Sequence, residues 1–165
     1  MLSFYTVDIS YCDFLREKDA LVSINYDKKV RRPYIGMLFE VNSRQYYVPI
    51  SSPKAKHKKM KNNIDFLKLN NGYYGAINFN NMIPVPMCCV HKIDIKNEAD
   101  KKYKNLLMKQ LTWCNKNEEK ITQKAKKLYF LFVNDELPNN LKRRCCNFLL
   151  DEIRMDEYIE NQQSK

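Results

Sequence analysis

The chain changes character near residue 97, and that change limits the fold more than any other feature. Glycine stands only at positions 36, 72 and 75, and five of the six prolines precede residue 97. From Asn97 onward there is no glycine, and proline only at 138. The first part alternates short apolar or aromatic runs with turn residues, which is how strands are written. The second part repeats apolar residues at helical spacing. Strands first and helices later predict an α+β domain, an antiparallel sheet or open barrel covered by helices.

In the first part, LSFYTVD (2–8) reads as a strand, and Ser10 as the cap of a short helix reaching about Lys18. NYDKKVRR (25–32) reads as a basic loop. YIGMLFEV (34–41) and QYYVPI (45–50) flank Asn42-Ser43-Arg44 as a hairpin. IDFLKL (64–69), GAINF (75–79) and MCCVHKI (87–93) are further strands, with Asn70-Asn71-Gly72 as a turn. MIPVP (82–86) belongs at an edge or in a loop, because proline cannot donate to a ladder. In the second part, one stripe runs through Tyr103, Leu106, Leu107, Gln110, Leu111 and Cys114, and another through Ile121, Ala125, Leu128, Tyr129 and Phe132. Pro138 opens a third helix with Leu141, Cys145, Phe148, Leu149, Ile153 and Ile159 on one face.

At 165 residues this is one domain, 1–165, and 44 % hydrophobic residues suffice for a core. No run approaches the ~18 apolar residues of a membrane span, and MLSFYTVDIS does not read as a signal peptide, so the expected location is the cytoplasm and no membrane partner is expected. The six cysteines form no C-x-x-C and have no histidines at ligand spacing; they read as reduced core residues, with no metal and no cofactor. The net charge of +10 points to a polyanionic partner.

The charge concentrates in YVPISSPKAKHKKMK (47–61), where a strand ends in Ser51, Ser52 and Pro53 before five lysines and a histidine fall within Lys54 to Lys61. A lysine run is ordinarily a solvated loop. Here a strand fixes the two hydroxyls, a second cluster (Lys28, Lys29, Arg31, Arg32) precedes the same hairpin, and Tyr46, Tyr47, Phe66, Tyr73 and Tyr74 offer rings for stacking on unpaired bases. Such a surface binds phosphate by counterion release. It also has what RNA cleavage needs, because the ribose 2′-hydroxyl is an internal nucleophile that wants alignment and charge stabilisation. No carboxylate cluster suits two metals, and the two histidines give little support for a two-histidine ribonuclease. On these residues alone, a non-catalytic RNA- or DNA-binding module stands ahead of an enzyme; a third reading gives the lysines only a solubilising role.

FYTVD, YIGMLFEVNSRQYYVPISSPK, GAINFNNMIPVP and, less closely, YKNLLMKQLTWCNKNEEKI resemble the ToxN/AbiQ family, endoribonuclease toxins of type III toxin–antitoxin and phage abortive-infection systems. The resemblance implies a MazF/Kid-like twisted antiparallel sheet or open barrel with surrounding helices. It implies metal-independent RNA cleavage leaving a 2′,3′-cyclic phosphate and a 5′-hydroxyl, often at adenine-rich sites. The implied antitoxin is an RNA pseudoknot cut from a repeat transcript, which joins the toxin in a closed RNA–protein hetero-oligomer; the protein alone is expected to be a monomer. Ser51, Ser52 and Lys54 match the family's catalytic signature, and Arg32 stands where the family often has lysine, keeping charge but not a transferable proton. Tyr26 lies near, but offset from, a family tyrosine. Lys28, Lys29, Arg31, Lys56, His57, Lys58, Lys59 and Lys61 are the expected RNA contacts, with His57 also a candidate for proton transfer.

Overall fold

A computed structural model describes residues 1–24, 26–27, 30–36 and 38–164, with backbone alone for 26–27 and 30–31. Lys28 and Lys29 therefore lie outside the described residues, as does the side chain of Arg31.

The organising element is the strand Arg44–Ser51. In chain order the strands are β1 (Phe4–Val7), β2 (Tyr26–Asp27), β3 (Val30–Arg31), β4 (Tyr34–Ile35), β5 (Glu40–Val41), β6 (Arg44–Ser51), β7 (Phe66–Lys68), β8 (Ala76–Asn78), β9 (Ile83–Pro84) and β10 (Val90–Lys92). Among the described residues the main sheet runs β10-β1-β4-β6-β8-β7, with β5 and β9 also on β6. All its pairings are antiparallel, and the path is open rather than closed into a barrel. Every residue of β6 is thereby paired, to β5, β9, β4 or β8. Tyr46, Tyr47, Val48 and Ile50 are buried accordingly.

Two expected elements come out differently in this first part. Residues 34–41 are not one strand: β4 and β5 are separated, and the register on β6 slips by two residues between the pairs Ile35–Val48 and Glu40–Gln45. Gly36 lies at the slip because a Cβ there would stand 2.4 Å from the Tyr5 ring and 2.7 Å from that of Tyr47. The basic segment 25–32 is not wholly loop, since β2 and β3 pair Tyr26 with Arg31 and Asp27 with Val30. The hairpin turn does fall at Asn42-Ser43, both left-handed (φ 48° and 63°).

The helices are α1 (Ile9–Arg16), α2 (Ala55–Lys59), α3 (Lys101–Lys116), α4 (Glu118–Val133), α5 (Asn139–Lys142) and α6 (Phe148–Gln163). Asp8 rather than Ser10 occupies the N-cap of α1, and Ser10 lies inside the helix. The stripes of α3 and α4 face the core as their spacing predicts: Leu107, Gln110 and Cys114, then Ile121, Ala125, Leu128, Tyr129 and Phe132. The third helix is two, and its stripe holds at Leu141, Cys145 and Phe148, all buried, but fails at Leu149 and Ile153. Leu149 is 46 % and Ile153 57 % exposed, while Asp151 and Glu152 are buried. Chemistry explains the inward turn at Glu152: its Oε1 accepts from Tyr46 OH and from Tyr129 OH, both at 2.7 Å, while Asp151 is buried beside Asp19, which helps to raise its carboxyl pKa. Tyrosine hydroxyls in a core need an acceptor, and a carboxylate on the inward face supplies one for two. The six cysteines form no disulfide among the described residues, and five of them are buried. No helix among the described residues is long and apolar enough to cross a membrane.

Candidate functional site

The sheet brings part of the expected site together at the end of β6. Ile50 N–H donates to Pro33 C=O at 2.9 Å, which extends the β4–β6 pairing past Tyr34–Pro49. Carried one residue further, that register sets Arg32 across from Ser51. On the other edge Ser51 pairs with Ala76, and Ala76 with Lys68. Paired residues share a face, so Ser51, Ala76 and Lys68 form one cross-strand row, and the continued register would add Arg32 at its end. Each of the three polar members is half-buried. Lys68 was absent from the sequence reading; its only signal is alternation, a lysine between Leu67 and Leu69, both of which are buried.

Ser51 is held more tightly than its position alone requires. Asn78 Nδ2 donates to Ser51 Oγ at 2.5 Å. With its oxygen accepting there, the hydroxyl proton remains to be given elsewhere. The Ser51 carbonyl lies against Gly75, where an added Cβ would stand 1.9 Å from it and where φ is +98°. Only glycine permits both the approach and the conformation. Ser52, Pro53 and Lys54 follow, all exposed.

The lysine segment is not the loop expected of it. Residues 55–59 form α2, one short helix that projects Lys56, Lys58 and Lys59 outward. His57 departs from its expected place among the RNA contacts: it is 2 % exposed, its ring 6.0 Å from that of Phe66. Lys54 N–H donates to His57 Nδ1 at 3.3 Å, and His57 N–H donates to Lys54 C=O at 2.9 Å. A lysine ammonium has no lone pair with which to cap a helix, so the histidine closes the turn for it. Accepting at Nδ1 puts the ring proton on Nε2. Burial first, then Lys56 and Lys54, holds the imidazole below its usual pKa, so it stays neutral in this basic surround.

The far end of the segment is anchored too. Lys68 N–H donates to Asn62 Oδ1 at 2.8 Å, and Lys124 Nζ of α4 donates to Asn63 C=O at 2.6 Å. Burial first, then Lys120, lowers the Lys124 pKa. Asp65, 3 % exposed at its side chain, pairs with Arg144 through Nε at 2.6 Å. Of the rings offered for stacking, Tyr46, Tyr47 and Phe66 belong to the core and Tyr74 is half-buried; Tyr73 alone of the five is exposed.

Among the described residues the one group with metal-ligand proximity is Asp19, Cys146 and Asp151, whose donor atoms lie within 4.8 Å of one another. Burial raises the Cys146 thiol and, with Asp19 beside it, lifts the Asp151 carboxyl to about 8. At neutral pH both groups keep their protons, which makes them poor metal ligands.

The chain is similar to known proteins over most of its length. The family described as Toxin ToxN, type III toxin–antitoxin system, matches residues 3–156. Endoribonuclease ToxN of Bacillus thuringiensis subsp. kurstaki is 34 % identical over 168 residues, covering 98 % of this chain and 87 % of that one. A solved structure concerned with type III toxin–antitoxin systems, in which a toxin is selectively inhibited by a non-coding RNA pseudoknot, is similar over 96 % of this chain and 98 % of its own, at 35 % identity and a TM-score of 0.84. Another, concerned with a bacterial antiviral system regulated by a processed non-coding RNA, is similar over 94 % of this chain and 98 % of its own, at 29 % identity and a TM-score of 0.82.

Proposed function

The chain belongs to the ToxN family of type III toxin–antitoxin toxins, and on that premise we propose that it is an endoribonuclease toxin held in check by an RNA. What supports this reading is the end of β6, where Ser51 and Ser52 stand just before Lys54 at the head of the lysine-bearing α2, and Pro33, next to Arg32, accepts from Ile50 N–H. The 2′-oxygen attacks phosphorus, the P–O5′ bond breaks, and the proton lost from the 2′-hydroxyl is balanced by one gained at the 5′-oxygen. The products are a 2′,3′-cyclic phosphate and a 5′-hydroxyl, and no metal enters the balance.

Ser52 O–H donates to a non-bridging phosphate oxygen. Ser51 does the same, its oxygen already engaged by Asn78. Lys54 and the permanently charged Arg32 stabilise the phosphorane. Lys56, Lys58, Lys59 and Lys61 hold the RNA backbone; Lys28, Lys29 and Arg31 stand as further RNA contacts on their sequence position alone. His57 shapes the corner from inside. An RNA pseudoknot cut from a repeat transcript fills the same groove and closes a toxin–RNA assembly, from which phage infection frees the toxin in the cytoplasm. A MazF/Kid-like plan belongs to the same proposal, supported by the open antiparallel sheet under its helices.

The test uses phenol-extracted protein and a labelled adenine-rich RNA in excess EDTA, with product ends mapped chemically. Wild type should cut and leave cyclic phosphate, and Ser52→Ala should lose about 10²–10³ in rate. Normal cleavage by Ser52→Ala would remove it from the site. RNA bound tightly but left intact by wild type would favour the binding module instead.

A further inference from the structure

The wall of the site is the loop 69–75 between β7 and β8, and it is unusually rigid for a surface turn. Leu69 N–H donates to Gly75 C=O at 3.0 Å, and inside that closure Gly72 donates to Leu69, Tyr73 to Asn70 and Tyr74 to Leu69. Asn70, Asn71, Gly72 and Gly75 all take positive φ, from 46° to 98°. Both glycines are contact points with the site segment. A Cβ on Gly72 would stand 2.8 Å from the His57 carbonyl carbon, and one on Gly75 1.9 Å from the Ser51 carbonyl oxygen. From behind, Gln110 of α3 donates to Tyr74 C=O at 2.7 Å.

What this loop presents is Tyr73. Its ring is 60 % exposed, against 0 % for Tyr46 and Tyr47. Only one other aromatic among the described residues counts as exposed, Phe130 on α4. Lys58 Nζ sits over the Tyr73 ring at 4.5 Å from its centroid. The ammonium takes one face of the ring, so a stacking partner would take the other. Two residues of chain, at most about 7 Å, separate Tyr73 from the glycine that touches Ser51.

Resting on the endoribonuclease reading, we propose that Tyr73 is a stacking platform for an unpaired base of the RNA next to the scissile phosphate, with Lys58 holding that nucleotide's phosphate. An exposed aromatic ring costs free energy in water, and a base covers it. The rigid loop means little order has to be gained on binding. Stacking on one ring contributes about 1–3 kcal/mol and tolerates every base, so Tyr73 sets the register of the strand over the two serines without choosing its sequence.

The probe is a fully 2′-O-methylated adenine-rich RNA, which cannot be cut, with 2-aminopurine replacing one adenine at a time. Wild type should quench fluorescence strongly at one position. Tyr73→Phe should keep that quench, and Tyr73→Ala should lose it while weakening Kd, and raising KM for the cleavable RNA, about 5- to 150-fold. Thermal unfolding of Tyr73→Ala should match wild type, given the exposure of the ring. Unchanged Kd, KM and quenching in Tyr73→Ala would overturn the platform, and so would equal damage from Tyr73→Phe, which would assign the effect to the hydroxyl. A wild-type protein that cuts no RNA defeats the enzyme reading itself, a result distinct from either.

Discussion

At the end of β6 the chain turns lysines outward around one buried histidine, whereas α6 turns two carboxylic acids inward and leaves Leu149 and Ile153 in solvent. Both arrangements put an ionisable group where an apolar one would be expected, and each rests on a specific partner. His57 is inside because the Lys54 N–H needs its Nδ1. Glu152 is inside because two tyrosine hydroxyls need its oxygen. The difference lies in what each serves: the first shapes a surface, and the second holds the core. It follows that the two regions should separate cleanly when perturbed.

The largest effect is expected from Glu152→Leu. It orphans two buried hydroxyls at about 1–3 kcal/mol each, so urea unfolding should show a loss of about 2–6 kcal/mol, with the salt dependence of RNA binding unchanged. A loss confined to a few tenths would mean that the tyrosines find other partners and the comparison collapses.

Next comes pH, on which the two regions have opposite signs. The folded-state pKa of Asp151 is raised to about 8, so its stabilising contribution is complete below the unfolded value near 3.8 and is lost as pH rises through 8. Asp151→Asn escapes that loss and should be more stable than wild type at pH 9 by on the order of a few kcal/mol, with a smaller gap at pH 5. His57 is shifted the other way. Its contribution is present above the unfolded value of 6.5 and lost as pH falls through its lowered folded value. Unfolding curves at pH 5, 7 and 9 for Asp151→Asn and for His57→Ala, each against wild type, would read the two signs directly.

Gly75→Ala should cost about 1–3 kcal/mol through its left-handed backbone, and more in activity. Pushing Ser51 aside by about 1 Å should lower cleavage about 100-fold, measured as kcat at a temperature where the variant is folded. His57→Ala should be the mildest of these, near 1 kcal/mol as for other lost helix caps. It should raise KM more than it lowers kcat, since it touches no reacting atom. Equal falls in kcat and kcat/KM would instead bring His57 into the chemistry.

The sequence was most legible where pattern and partner agree. The α3 and α4 stripes, the Asn42-Ser43 hairpin turn and the strand ending at Ser51 could all be read because each depends on neighbours close in sequence. The cross-strand row was half visible: Ser51 and Arg32 were named, but Lys68 joins them only through a pairing across Ala76, which no local pattern encodes. The inner face of α6 was misread for the same reason. Its polar residues are explained by Tyr46, 106 residues away, and by Asp19 in the turn after α1. His57 looked like surface because it stands among lysines, and nothing in AKHKK announces that its ring turns inward.

The pairing of β6 also bears on when the protein becomes dangerous to the cell that makes it. The strand takes partners from residues 34 to 84, and its Tyr46 hydroxyl is held by Glu152 near the last turns of the chain. A chain interrupted before α6 lacks that carboxylate and should cut no RNA, so the activity set up at β6 waits on a residue 106 positions further along the chain.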